Sequence, residues 1–359
     1  MGIISHFFIF VIMEFREEIQ KNAIQIALEN EKCSLDLSIR IGKCFIGLSV
    51  AQHFNKVLIG YDNNPILQSW KEDSIKFNIS DDNITYTTYA SLDKHNLLEF
   101  DIIILDELHT VSENNWNYII LSNPKRILGM TGTMPEKGIK REFINTYCPI
   151  KYTIKLDETT GKTSKDYQII VHLIEPSKIK DIKTKNGFWS DSQKINFWQK
   201  KYEITKSFQG AMLFLIQAIQ NSNTKFNYLK KLVNNIDDGF IFLETSKQCQ
   251  ELGIPSYNSK EPKSEQNLED FKLGKIKKLS TINQLKAGIT IPHLKQCIIL
   301  HSYSSQQKSH QKLGRCLTIN GNDKALIHIL CLKGTYDEKW CRNSLEQFDK
   351  SKIIWKTIN

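Results

Sequence analysis

Arginine is scarce in this 359-residue chain: of 48 basic residues, only Arg16, Arg40, Arg126, Arg141, Arg315 and Arg342 are arginine. The net charge of +9 is therefore carried mostly by lysine, and it suits a polyanionic partner. Each rare arginine becomes a candidate for a specific contact with phosphate or carboxylate. Cysteine is present eight times but never as CxxC and never in ligand spacing with histidine, which argues against a structural zinc site. Scattered thiols of this kind suit buried small hydrophobes in a reducing cytosol. Long apolar runs are missing too. The opening MGIISHFFIFVIMEF is too short to span a bilayer and has no basic leader, so no membrane partner is expected. His6 stands where an N-myristoylation signal needs Ser or Thr. Internal repeats and low-complexity segments are absent from the sequence.

What is present is a 40% apolar composition and enough length for two domains. Met13 opens an amphipathic helical pattern, MEFREEIQKNAIQIALEN, so residues 1–12 read as an extension outside the core. After it, short apolar runs (CSLDLSI, KVLIGY, DIIILD, RILGMTGT) alternate with helical spacing. That alternation predicts an α/β fold with a parallel sheet covered on both faces. The polar, aperiodic stretch KLDETTGKTSKD reads as a linker. Its Gly161-Lys162-Thr163 has neither a leading strand nor a following helix, so it is not a phosphate loop. Beyond it YQIIVHLIE, GFIFLE, KKLSTI, QCIILHSY and ALIHILCL are strand-like, and 206–235 reads as one long helical region. The expected division is an extension (1–12), a first domain (13–157), a linker (158–165) and a second domain (166–359).

Two stretches carry chemistry. In LSIRIGKCFIG a strand runs into a glycine-lysine turn and then a helix. Helix N-terminal N–H groups favour phosphate, and Lys43 can reach its terminal oxygens. A full phosphate loop would have Gly at position 37 and Ser or Thr at 44, where this chain has Leu37 and Cys44. In IIILDELH an apolar strand ends in acid. Asp106 there suits Mg²⁺ held through water, and Glu107 suits orientation or deprotonation of a water. Each has a plain alternative: a lysine at an ordinary helix start, and a solvated acidic turn.

Taken in order from Phe15 onward, the segments resemble the motifs of superfamily-two helicases and translocases of the DEAD/DEAH type, compact phage-like members above all. FREEIQKNAI resembles the adenine-reading opening motif, RIGKC motif I, KVLIGYDNNPILQSW and YTTYASL motifs Ia and Ib. DELH resembles motif II and MTGTMP motif III. FIFLETSKQCQEL resembles motif IV, LSTINQLKAGITIPHLKQCIIL motif V and HQKLGRCL motif VI.

The resemblance implies two tandem RecA-like domains, each with a parallel sheet, hydrolysing ATP in the cleft between them. It places Arg16, Gln20, Arg40, Ile41, Gly42, Lys43, Cys44 and Gly288 around the nucleotide, and Asp106 and Glu107 at Mg²⁺ and water. Gln311 and Arg315 reach the phosphates, Arg315 as the arginine finger. His109, Thr131 and Thr133 couple the nucleotide to movement. Thr88, Thr245 and Thr281 contact the nucleic-acid strand, although strand-end hydroxyls also cap helices and turns. The basic stretches KIKK (275–278) and QKKYEITK (199–206) are further candidates for backbone contact, or solvated lysine faces. The implied activity is an ATP-dependent helicase or translocase. DNA, as a single strand or junction, is favoured over RNA, with replication or repair proteins as partners and a phage protein's location in the host cytoplasm. Two departures keep a second reading open, a module that binds nucleotide and nucleic acid with weakened hydrolysis. Thiol sulfur is a soft ligand for hard Mg²⁺ at Cys44, and Thr318 stands where the family has a second arginine. A third is the motor subunit of a repair or restriction assembly.

Overall fold

Strands that are apolar at every position have no polar face to offer water, so a sheet built from them is covered on both sides. The computed structural model describes residues 2–38, 41–135, 137–155, 158, 166–184, 187–206, 208–282, 294, 296–302, 324–346 and 348–358. The chain forms two compact units, one built from residues up to 164 and the other from the described residues beyond.

The first unit runs α1 (Gly2–Glu29), β1 (Lys32–Leu37), α2 (Lys43–Ala51), β2 (Val57–Tyr61), α3 (Asn64–Phe77), β3 (Ile84–Thr88), β4 (Ile102–Asp106), α4 (Glu113–Ser122), β5 (Ile127–Thr131), α5 (Ile139–Tyr147) and β6 (Ile150–Ile154). Its six strands lie in the order β3-β2-β4-β5-β1-β6, all parallel. The inner strands β2, β4 and β5 are buried at every residue, whereas edge strand β6 is not. This order makes β4, β5 and β1 neighbours, so their carboxyl ends share one stretch of sheet edge. Ligands bind at such edges in open α/β sheets. Helix α1 begins at Gly2 rather than at Met13, because the run ahead of Met13 has no proline to interrupt it.

The second unit has β7 (Tyr167–Ile174), a short antiparallel hairpin of β8 (Ile182–Thr184) and β9 (Gly187–Trp189), α6 (Asp191–Thr205), α7 (Leu213–Gln220), α8 (Asn223–Asn234), β10 (Gly239–Leu243), α9 (Ser246–Leu252), β11 (Ser256–Tyr257), α10 (Ser264–Lys272), β12 (Lys278–Ile282), β13 (Gln296–Ile299), β14 (Ala325–Leu332), α11 (Tyr336–Ser344) and β15 (Ile353–Ile358). Seven parallel strands follow the order β11-β12-β10-β13-β14-β7-β15. Both units thus have the parallel α/β architecture expected for RecA-like domains.

The long helical region expected over 206–235 is helical in three segments. Helix α6 stops at Lys206, which takes a left-handed conformation, a π-helical turn spans Phe208–Met212, and Ser222 caps α8 by accepting from the Lys225 N–H. Lys225 is the reason this region is anchored: its ammonium is fully buried and pairs with Asp337 at 2.8 Å. Leu332 N–H also donates to that carboxylate. Helix α6 opens on Ser190 and Gln193, which form a reciprocal capping box.

Candidate nucleotide-binding site

Strand β1 ends at Leu37, and α2 starts at Lys43 behind Gly42, whose φ of 93° is left-handed. A β-carbon at Gly42 would meet Gln20 Nε2 at 2.7 Å and an Arg16 guanidinium nitrogen at 2.9 Å. Those two side chains come from α1 and hold the loop: Gln20 Nε2 donates to the Ile41 carbonyl at 2.6 Å and Arg16 Nε to the same oxygen at 3.3 Å. Ile41 is fully buried. Arg16 and Gln20, expected at the nucleotide base, are thus engaged with the loop backbone.

Lys43 projects from the first turn of α2 and meets Glu107 Oε1 at 2.9 Å. Glu107 follows the last residue of β4 and has φ 51° and ψ 52°, a conformation a glutamate adopts at a cost of about 1–2 kcal/mol. The turn is fastened by Thr110, whose N–H and hydroxyl both donate to the Glu107 carbonyl, at 2.7 and 2.9 Å. Strain retained at the end of a central strand is characteristic of a functional position.

Asp106 is 4% exposed. Its carboxylate accepts from Trp70 Nε1 at 2.8 Å and from the Glu107 N–H at 2.9 Å. Burial, with Glu107 beside it, raises its pKa to about 6, against the lowering pull of Lys43 and the Trp70 hydrogen bond. Burial works against ionised Glu107 as well, but Lys43 overcomes it and holds that carboxyl below its usual range. Lys43 is itself held above its ordinary value by Glu107 and Asp106 despite burial. Two adjacent carboxyls are thereby pushed apart in acidity by their surroundings.

His109 joins this group from the following turn. Its Nδ1 lies 2.7 Å from Thr131 Oγ1, 3.2 Å from Thr133 Oγ1 and 3.4 Å from Glu107 Oε2. Thr131 donates its only hydroxyl hydrogen to Glu107 Oε2 at 3.3 Å and accepts from the Thr133 N–H at 3.1 Å. The Nδ1 proton must then belong to His109, which donates to Thr131. Burial lowers the His109 pKa, so the ring is neutral near pH 7. Motif residues from β4 and β5 are therefore one hydrogen-bonded chain ending on Glu107.

The Cys44 thiol, in the first turn of α2, packs against the core. Burial, reinforced by Asp106 and Asp73, pushes its pKa well above the ordinary thiol value, so it stays protonated. A neutral thiol is a poorer ligand for a hard cation than the hydroxyl usual at this place.

Three side chains not singled out from the sequence complete the site. Trp70, fully buried, orients Asp106, and Tyr89 donates to the Asp106 carbonyl at 2.6 Å. Asp36, on β1, has its carboxyl raised by burial against the opposing charges of Lys43 and Arg141. Trp70 ends the quoted stretch KVLIGYDNNPILQSW, but nothing local ties an indole to a carboxylate 36 positions later.

The remaining candidates separate. Thr88 ends β3 and is the N-cap of a short 3₁₀ turn. Thr245 caps α9 by accepting from the Gln248 N–H, and Thr281 is buried and donates to the Tyr257 carbonyl at 2.9 Å. Arg40, Gly288, Gln311, Arg315 and Thr318 lie outside the described residues.

The family model for the res subunit of type III restriction enzymes matches residues 46–136. That stretch starts just after Lys43 and includes Asp106, Glu107, His109, Thr131 and Thr133. Solved structures align over nearly the whole chain. The Hef helicase domain of Pyrococcus furiosus has a TM-score of 0.55 at 14% identity, covering 92% of this chain and 97% of that one. This chain has the fold of the superfamily-two helicases. Dbp5 of S. cerevisiae, solved with RNA and ADP BeF3, gives 0.57 at 13% identity, over 94% and 89%. The type ISP restriction-modification enzyme LlaBIII bound to DNA gives 0.62 at 14% identity, over 96% of this chain but 31% of that one, so this chain spans under a third of it. No curated protein matches the sequence. No described helix is long and apolar enough to cross a membrane.

Proposed function

We propose that the chain is an ATP-dependent motor acting on nucleic acid, DNA in preference to RNA, with ATP held at the carboxyl edge of β1, β4 and β5. The observation that carries this is the Lys43–Glu107 pair, at 2.9 Å, seated between a glycine-opened helix N-terminus and buried Asp106. The residues suit a magnesium–nucleotide. Gly42, left-handed at φ 93°, opens the N-terminus of α2, where phosphate is favoured, and a buried carboxyl with its pKa raised to about 6 is one that a cation stabilises in its charged form. Asp106 would hold Mg²⁺ through water, and the ion's charge would offset that developing on the phosphates.

Lys43 binds the terminal phosphate. The ammonium is shared, so phosphate draws it from Glu107 and leaves that carboxylate to a water. Held below its usual pKa, Glu107 serves better to orient the water than to keep its proton. Thr131 and His109 fix the carboxylate's second oxygen, and Thr133 extends the chain to the loop after β5. Through that loop the nucleotide state reaches the rest of the chain. Gln311 and Arg315 are assigned to the phosphates by sequence resemblance alone.

The test is ATPase activity with and without DNA or RNA. Lys43→Ala should abolish stimulated turnover, and equal rates for mutant and parent would end the reading. The restriction-family match favours a second version, in which this motor serves a restriction assembly and gains cleavage only with a partner. DNA-stimulated ATPase without strand separation by the isolated chain would support it.

A further inference from the structure

Between β7 and α8 the second unit carries an insertion that lies outside its seven-stranded sheet: the β8–β9 hairpin followed by α6 and α7. Helix α6 has two unlike faces. Ile195, Trp198 and Tyr202, at i, i+3 and i+7, pack on the core. Phe197, Lys201 and Ile204 face outward, with Phe197 45% exposed. Outward Phe197 meets Trp189 of the hairpin at 5.3 Å, and half-exposed Phe214 stacks on core-packed Trp198 at 4.5 Å and 19°. Phe188, at the hairpin, is 57% exposed. Lys201 Nζ stands 5.1 Å from the Trp198 ring centre and 5.9 Å from that of Phe197.

Exposed aromatic side chains gathered on one insertion mark an interaction surface, and the charge points to its occupant. Residues 178–206 hold eight lysines against Asp181, Asp191 and Glu203, a net +5 of the chain's +9. Asp191 is buried and spent on Ser222 and Thr224, so it does not offset the lysines at the surface. Half-exposed rings interleaved with cations match an unpaired nucleic-acid strand, whose bases stack while its phosphates meet ammonium groups.

We propose that this insertion is a second contact surface for single-stranded nucleic acid, with Phe188 and Phe197 as stacking platforms and Lys201 as a phosphate contact. The proposal rests on the nucleic-acid reading above and places a strand contact where none of the helicase-like segments lies.

The test uses the full chain and a fluorescein-labelled oligothymidylate, with affinity read by anisotropy over a salt series. Phe188→Ala and Phe197→Ala should each weaken binding by about 5- to 150-fold, the range of one lost stack. Phe197→Tyr should retain binding, because the ring remains. Lys201→Ala should lower the slope of log affinity against log salt by about 0.7. Unchanged melting temperatures establish that these surface variants fold. If the parent binds and all variants bind equally, the platform is overturned while the nucleic-acid reading stands. If the parent does not bind at all, both fall. Self-association of the parent that the same substitutions remove, with affinity for the strand untouched, would assign the surface to a second protein copy and overturn the proposal.

Discussion

Gly47→Ala sets two known effects against each other at the heart of the first unit. Gly47 sits inside α2, where alanine is favoured over glycine by about 1 kcal/mol on propensity alone. A β-carbon there would lie 2.3 Å from Trp70 Cη2 and 2.9 Å from Met130 Cε. Met130 Cε is the end of a flexible side chain and can shift, but the Trp70 ring cannot yield cheaply. Trp70 and Met130 are both fully buried, and the indole is pinned at its far end by the 2.8 Å hydrogen bond to Asp106. Overpacking of a closed core costs about 1–3 kcal/mol, and contact this close belongs at the upper end. The net expectation is a loss of about 1–2 kcal/mol, or about 2–8 °C in melting temperature for a unit of this size. Urea unfolding followed by tryptophan fluorescence measures it. Turnover should fall as well, since the indole that tilts away is the one orienting Asp106. Trp70→Phe made together with Gly47→Ala should recover part of the stability but not the turnover, because the smaller ring makes room but carries no N–H. A Gly47→Ala protein as stable as the parent would refute the close packing of α2 on Trp70.

Glu107→Gln should retain nucleotide binding and slow hydrolysis by at least a hundredfold, the scale of a lost water-orienting group, as read by parallel binding and single-turnover assays. Equal losses in both would make Glu107 a brace for Lys43 only. Cys44→Thr should raise turnover and lower the Mg²⁺ needed for half-maximal rate, and a tenfold gain corresponds to about 1.4 kcal/mol of barrier. No change in a Mg²⁺ titration would show that the neutral thiol is tolerated. Acid should destabilise the second unit through His172 and His328, joined at 2.9 Å and each lowered to about 4, His172 by burial and then by its neighbour, His328 by burial. With folded values below the ordinary 6.5, the unfolded chain binds more protons in this window. Stability is then complete above about 6.5 and drains as pH falls towards about 4. Replacing both with glutamine should flatten that slope in urea midpoints measured across the range.

Much of the architecture was legible before any coordinates. The runs IIIL (102–105) and VLIG (57–60) have no polar side chain, and a sheet covered on both faces accommodates such strands, so parallel pairing followed from the residues themselves. The glycine-lysine turn and the paired acids of DELH were visible because each is a local pattern whose chemistry depends on neighbours in sequence. The helical region over 206–235 was legible but its division was not, since what divides it is the Ser222 cap and the anchoring of Lys225 to Asp337, 112 positions away. The same limit hid Trp70. Its hydrogen bond to Asp106 exists because strand order brings α3 and the end of β4 together, and no residue near either one announces it. Arg16 and Gln20 were marked by sequence, but their hold on the Ile41 carbonyl emerged only from the packing of α1 beside the loop. Hydrophobic pattern is set by the residues within one element. Hydrogen-bond partners across elements are set by crossover topology and close packing, and those are properties of the folded chain.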